Sequence, residues 1–597
     1  MPRIPYTPSG MDLVDPTAQR GRRDAAPNGD IGLLVAAAAL LALAALTVAL
    51  PGAEVAVGLA RHVLAPRTQE TLPGAGLGAA RLLASTAAHA ALIAAAATML
   101  AWPVAWAVGR AGRADRRLVL AAACAVPLLM PNYLAYAALN LLRAPRTALG
   151  DFLAVQEPWV SIAFGKTIAV VGLAIWAWPI ALLVLAPAVQ RLPRDTLDAL
   201  ELDGAGRFWP LRRTLVLASM LRGAVALAFL AVAVVMLGSA VPLHVAQIDT
   251  FATRLWLRLS LTTDPAAAWI GAWPLLVIAV LAAAGVCSRL GHGAHDAGDQ
   301  YPSHSSAHRA LPTIIGACAV LAISVLLPLA MFIASLREPG EPWTLRTAMT
   351  MSAAFWRDTR DAVAAGAGAA AATGLLAGVI AALSWCALSA PGRRRHSAQI
   401  ALVCVGLWIV AGLTPGVLVG SALAHAWVAG LAAPLDTLLG GRITGSSAIL
   451  VLAHGARFGI VAALVGWWLA ALEPREQREM RLLDGATGAR GWRLTRVTPA
   501  GIGAVGGAGL AAAALSLHEI EAAVMVQPPG LASLPQHLLE DLHFARDARL
   551  GAAAVNLIAA GVVLSGMAGW LVIRAGTGER RSPSPELPST GGLFKVW

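Results

Sequence analysis

Residues 162–187 read IAFGKTIAVVGLAIWAWPIALLVLAP. Lys166 is the single charge in that stretch. About 20 apolar residues in a helix cross the hydrocarbon core of a bilayer, so this run is long enough to span one. Lipid offers backbone N–H and C=O groups no partner, and a barrel strand would be shorter and alternating; the run therefore predicts a transmembrane helix. Working outward from it, similar runs lie near 31–50, 82–108, 118–139, 214–238 and 267–286 in the same half of the chain. Six more lie near 311–335, 362–388, 400–428, 447–472, 500–517 and 550–573. The expected fold is an all-α polytopic membrane protein of about twelve transmembrane helices in two duplicated six-helix halves.

Composition agrees with that reading. Across 597 residues, 58% are hydrophobic and 13% charged, against roughly 45–50% and 25% in ordinary globular chains. This excludes a disordered chain, a secreted disulfide scaffold and a free cytosolic enzyme. The net charge of +12 reflects basic residues between apolar runs, a matter of membrane topology and not of nucleic-acid binding. The five cysteines, Cys124, Cys287, Cys318, Cys386 and Cys404, sit in or beside apolar runs without metal-ligand spacing and read as small buried residues.

The expected organisation is a polar tail over 1–30, a first half over 31–286, a linker over 287–310, a second half over 311–573 and a tail over 574–597. The first run reads as an uncleaved signal anchor. The linker, CSRLGHGAHDAGDQYPSHSSAHRA, lacks apolar periodicity, and its histidines His292, His295, His304 and His308 are too irregularly spaced for a fixed metal site. Arginine and lysine are about twice as frequent in the segments on the N-terminal side of the membrane as in those opposite, which places both termini in the cytoplasm. Basic clusters at Arg110–Arg117 and Arg393–Arg395 occupy matching loops of the two halves.

Two further loops match more closely. After the fourth run of each half stand LPRDTLDALELDGAGRFWPLRRT (192–214) and LEPREQREMRLLDGATGARGWRLTRVTP (472–499). Each has an acid six residues before a glycine, an L-D-G-A core, an aromatic and several arginines. Each is expected to form a short amphipathic helix, a turn at Gly204 or Gly485, where positive φ is cheap, and a basic exit into the next span. A helix lying at the membrane surface can dock in a groove of a soluble partner, or simply anchor to the lipid through its arginines.

At these residues the chain resembles the permease subunits of binding-protein-dependent ABC importers, whose signature E-A-A-x-x-x-G, followed nine residues on by I-x-L-P, forms the helix that contacts the ATPase. Asp198, Ala199 and Leu200 stand at E-A-A with Gly204 in register, and Thr214, Val216 and Leu217 replace I, L and P. In the second loop Glu479, Met480 and Arg481 take the first places with Gly485 in register, and Pro499 comes one residue late. The resemblance implies coupling roles for Asp198, Ala199, Asp203, Gly204, Ala205, Glu479, Asp484, Gly485 and Ala486. AVPLHVAQIDTFATRLWLRLS (240–260) and HEIEAAVMVQPPG (518–530) are similar to segments of the fused ferric iron and thiamine type. That resemblance implies a bacterial inner-membrane importer of iron(III) or a similar small solute, with an ATP-binding cassette ATPase dimer inside and a solute-binding protein outside. It implies no cofactor, no resident metal and no catalytic residue in this chain, since ATP hydrolysis belongs to a separate subunit. The string FGKT at Phe164–Thr167 is no P-loop, because Val160 stands where the first glycine is required and no strand precedes it.

Ionisable groups at membrane depth are candidates for the pathway. His454 and Arg457 share one helical face, and Arg457 either lines a cavity or bonds backbone carbonyls of a neighbouring helix. Glu519 and Glu521 lie at the outer end of the eleventh run, facing either a cationic substrate or solvent. The rival reading is an ion-coupled secondary transporter, which also uses repeats.

Overall fold

The computed structural model describes residues 28–64, 77–111, 114–144, 147–202, 209–261, 265–292, 311–337, 342–389, 395–472, 498–517, 519–531, 533–544 and 546–579. Among these residues every regular element is helical. In the first half they are α1 Asn28–Ala44, α2 Leu50–Leu64, α3 Leu77–Gly109, α4 Ala114–Ala125, α5 Asn132–Asn140, α6 Ala148–Ala154 and α7 Pro158–Gln190. There follow α8 Arg194–Leu202, α9 Trp209–Met220, α10 Arg222–Leu237, α11 Val241–Val245, α12 Phe251–Leu261, α13 Ala266–Gly271 and α14 Trp273–His292. The second half contains α15 Leu311–Leu321, α16 Leu327–Ser335, α17 Leu345–Leu388, α18 Arg395–Leu413, α19 Gly416–Val428 and α20 Ala433–Leu438. It continues with α21 Ala448–Ala471, α22 Pro499–Ser516, α23 Glu521–Val526, α24 Leu534–His543 and α25 Asp547–Glu579.

The chain is thus an all-α polytopic membrane protein, and each of the twelve apolar runs is mainly helical where described. Among the described residues, eight helices are long and apolar enough to cross a membrane, or ten if two bent pairs each count as one span. The 118–139 run bends by 77° and the 214–238 run by 81°. The first bend follows from Pro131, which lacks an N–H and, at φ −52° and ψ 133°, takes the chain out of the helix. Pro415 splits the 400–428 run in the same way, at φ −50° and ψ 134°. The helices Trp273–Ser288 and Gly501–Ser516 fall short of the spanning length.

The quoted run 162–187 lies in α7, the most enclosed of the eight long helices. Trp178, Leu173 and Leu185 on it are fully buried. α3 packs along α7 and α17 along α21, while α10 lies against both α3 and α7, and α22 against both α17 and α21. The halves exchange helices: α1 rests on α17 and α18, whereas α15 rests on α3; α14 meets α18, whereas α25 meets α4. Small residues permit these approaches. A Cβ on Gly374 would stand 2.9 Å from the carbonyl oxygen of Gly509, and one on Gly509 would stand 2.7 Å from that of Gly374.

Local irregularities recur about one half-length apart. A π-helical turn, Ala45–Ala49, precedes Leu50 and Pro51, and another, Ala322–Leu326, precedes Leu327 and Pro328. A proline cannot donate to the carbonyl four residues back, so a widened turn is a natural local solution. Each turn buries one hydroxyl. Thr47 Oγ1 donates to Leu43 O at 2.7 Å, and Ser324 Oγ accepts from Trp178 Nε1 at 2.8 Å.

Candidate functional site

The helix break at Pro415 leaves the carbonyl of Thr414 without a helical partner, and a buried carbonyl must find one. Arg457 on α21 supplies it, with Nη1 donating at 2.9 Å. In the first half Trp176 on α7 performs the same service, Nε1 donating at 2.7 Å to Met130 O, just before Pro131. The guanidinium differs from the indole in carrying charge, and that charge is met by two acids. Nε of Arg457 lies 3.2 Å from Glu519 Oε1, and Nη2 lies 3.4 Å from Glu521 Oε2.

Both carboxylates are anchored by backbone N–H groups as well. Glu519 Oε2 accepts from Ala522 at 2.9 Å and from Ala523 at 3.3 Å, capping α23. Glu521 reaches into the other half, where its Oε1 accepts from the N–H of Ala240 at 2.8 Å. Glu519 is 7% exposed and Glu521 6%, so removing the guanidinium would strand two carboxylates away from water. Gly416 makes room for the cluster: a Cβ there would stand 2.8 Å from Glu519 Oε1 and 2.9 Å from Arg457 Cζ. The arrangement is a set of ion pairs and caps that joins α21, the break at Pro415, the start of α23 and the segment before α11. Chemically it can hold these segments together and let them part.

Three of the four candidate pathway residues, Arg457, Glu519 and Glu521, are therefore brought together, and Arg457 does bond a backbone carbonyl. His454 is buried one turn away on α21, with its ring 6.2 Å from that of Phe458. Neither of its ring nitrogens has a hydrogen-bond partner among the described residues, and it does not join the cluster. Among the described residues, no group of three or more His, Cys, Asp and Glu side chains is placed to hold a metal ion. Cys124, Cys386 and Cys404 are buried as expected, Cys287 is half-buried, and Cys318 is exposed on α15.

Of the coupling residues, Asp198 and Ala199 lie on α8, whose described residues run from Arg194 to Leu202. Leu197 and Leu200, three residues apart and so on one face, pack on the first-half core. Asp195, Asp198 and Ala199 are exposed, and Leu202 is 89% exposed. The loop before α8 is tied to its neighbour by Arg110, whose Nη2 donates to Leu192 O at 3.0 Å. Asp203, Gly204, Ala205, Glu479, Asp484, Gly485 and Ala486 lie outside the described residues, as do the linker histidines. The P-P-G turn at 528–530 is present, with Gly530 at φ 81°.

A further buried acid was not among the expected site residues. Glu54, on α2 and 5% exposed, accepts from the N–H of Leu431 at 3.1 Å and lies 3.5 Å from His425 Nε2. Its signal was present: an acid following an apolar run without a break is an ionisable group at membrane depth. No family model, curated protein or solved structure matches the chain.

Proposed function

We propose that this chain is the membrane-spanning permease subunit of an ATP-driven importer, carrying iron(III) or a similar small solute between two duplicated six-helix halves. The observation that carries the reading is α8. Its Leu197 and Leu200 are fixed on the core while Asp195, Asp198, Ala199 and Leu202 face outward. A surface helix gripped by its own bundle on one face and exposed on the other transmits the motion of whatever docks there as a rigid unit. Such a helix, at a loop whose sequence recurs after the fourth run of the second half, supports two docking points for a dimeric ATPase. Duplication is further supported by the paired π turns, the paired proline breaks and the paired donors, Trp176 and Arg457, that serve them.

In this reading the loops 109–117, 188–213, 389–399 and 473–499 and both termini face the cytoplasm of a bacterial inner membrane. The segments holding Glu54, Ala240, Leu431 and Glu521 face the other side, toward a solute-binding protein. The test is reconstitution in proteoliposomes with the candidate ATPase and binding protein. Uptake that requires ATP, with hydrolysis stimulated by the loaded binding protein, supports the importer. Uptake by the chain alone, driven by a proton or sodium gradient, would make it a secondary transporter.

A further inference from the structure

Two buried carboxylates bond across the two halves of the sequence, Glu54 doing so from the exchanged helix that itself rests on the second half. Glu54 of the first half accepts from the N–H of Leu431 in the second at 3.1 Å, and Glu521 of the second half accepts from the N–H of Ala240 in the first at 2.8 Å. Each is backed by a basic side chain of the second half, His425 for Glu54 and Arg457 for Glu521. Between them lies a single apolar cluster in which Ala240, Leu255 and Trp269 meet Val417, Leu418 and Ala422, with Val55 beside Glu54 and Met525 near Glu521 packed against it. Trp269 adds one more tie across the halves, its Nε1 donating to Ser421 Oγ at 3.0 Å.

We infer that Glu54 and Glu521 are paired latches that hold this end of the bundle closed, and that both must release for the pathway to open there. The inference rests on the transport reading. Both acceptors engage main-chain N–H groups, so a shift of the opposing backbone by about 1 Å carries each bond beyond hydrogen-bonding distance. Neither carboxylate can follow freely, since its own helix is packed. The closed state is therefore one of two discrete arrangements and not a point on a continuum.

Ser239, beside Ala240, reports the state of this end. It is 4% exposed, and its hydroxyl has no hydrogen-bond partner among the described residues, so Ser239→Cys removes no such contact. The chain with this substitution is placed in lipid nanodiscs and treated with a water-soluble maleimide, and modification at 239 is followed by site-resolved mass spectrometry. Glu521→Gln and Glu54→Gln, which keep shape but lose charge, should each raise the rate about tenfold, in line with the loss of a charge-assisted bond. The double variant should exceed either. Asp436→Asn is the control, because that buried acid bonds only within its own half, to Ile443 and Thr444; it should leave the rate unchanged. If Glu521→Gln does not accumulate, Glu521→Asp, which shortens the reach by one methylene, is read in its place. Labelling at the parent rate in the Glu54 and Glu521 variants overturns the inference. So does a rise confined to Glu521, which would be local fraying next to the reporter. The assay needs no ATPase, so the latches and the importer reading can fail separately.

Discussion

Replacing Arg457 by methionine keeps an unbranched side chain of similar reach and deletes the charge. Three contacts go with it: 3.2 Å to Glu519, 3.4 Å to Glu521 and 2.9 Å to the carbonyl of Thr414. The carboxylates remain buried and keep their backbone donors, but one positive charge no longer faces two negative ones. Breaking a buried pair by removing one partner costs about 3–5 kcal/mol, most of it the uncompensated charge left behind. The Arg457→Met chain should lose that amount in equilibrium unfolding from mixed micelles by sodium dodecyl sulfate, followed by tryptophan fluorescence. If uncompensated charge is the cause, neutralising the partners should repair the damage. The triple variant Arg457→Met, Glu519→Gln, Glu521→Gln should return to within about 1–2 kcal/mol of the parent, the remainder being the unpaired Thr414 carbonyl. Arg457→Met within about 0.5 kcal/mol of the parent, the scale of an ordinary surface substitution, would refute the reasoning. A triple variant as unstable as the single one would refute the assignment of the loss to charge.

Three other outcomes are expected. Gly374→Ala should destabilise by about 1–3 kcal/mol through overpacking, because its Cβ meets Gly509 O at 2.9 Å, whereas Gly378→Ala, with Val505 Cγ1 4.0 Å away, should be close to neutral in the same unfolding assay. The Asp436 carboxyl, held below the usual carboxylate range by Thr444 and then by the N–H groups of Ile443 and Thr444, should stabilise the fold fully above the unfolded pKa of about 4. That contribution should fade as pH falls through the lowered folded value; an acid-unfolding profile identical in Asp436→Asn would contradict it. In intact cells an impermeant thiol reagent should spare Arg194→Cys and modify Leu438→Cys, which is 84% exposed on α20; comparable labelling of both would overturn the orientation.

Much of this architecture is readable from apolar run length, because lipid forces any such run into a helix whatever its neighbours do. Run length alone does not show where a run is interrupted. Pro131 and Pro415 each interrupt a run, because a proline lacks an N–H and restricts the residue before it as well as itself. In the candidate site, Arg457 was legible as a charge inside a span, and Glu519 and Glu521 as acids at the edge of one. Their meeting was not, since it depends on α23 folding back against the break at Pro415. Glu54 lies four residues past the end of the first run, and its partners, Leu431 and His425, come from a segment far away in sequence. A short amphipathic helix was legible in the loop after the fourth run, and α8 stands there; the structure adds that Leu197 and Leu200, three residues apart, form its inner face.

The central claim is that the loops around Gly204 and Gly485 dock a separate ATPase. The direct measurement is native mass spectrometry of the affinity-purified chain from its own membranes, compared with the double variant Gly204→Val, Gly485→Val. A β-branched residue is strained at a turn that needs positive φ, at a cost of about 1–3 kcal/mol, while the spans outside the loops still insert. The account predicts two copies of one ATP-hydrolysing subunit bound to each parent chain, and their loss from a variant of near-normal abundance. A parent chain that carries no such subunit, or a double variant that retains both copies, would contradict it.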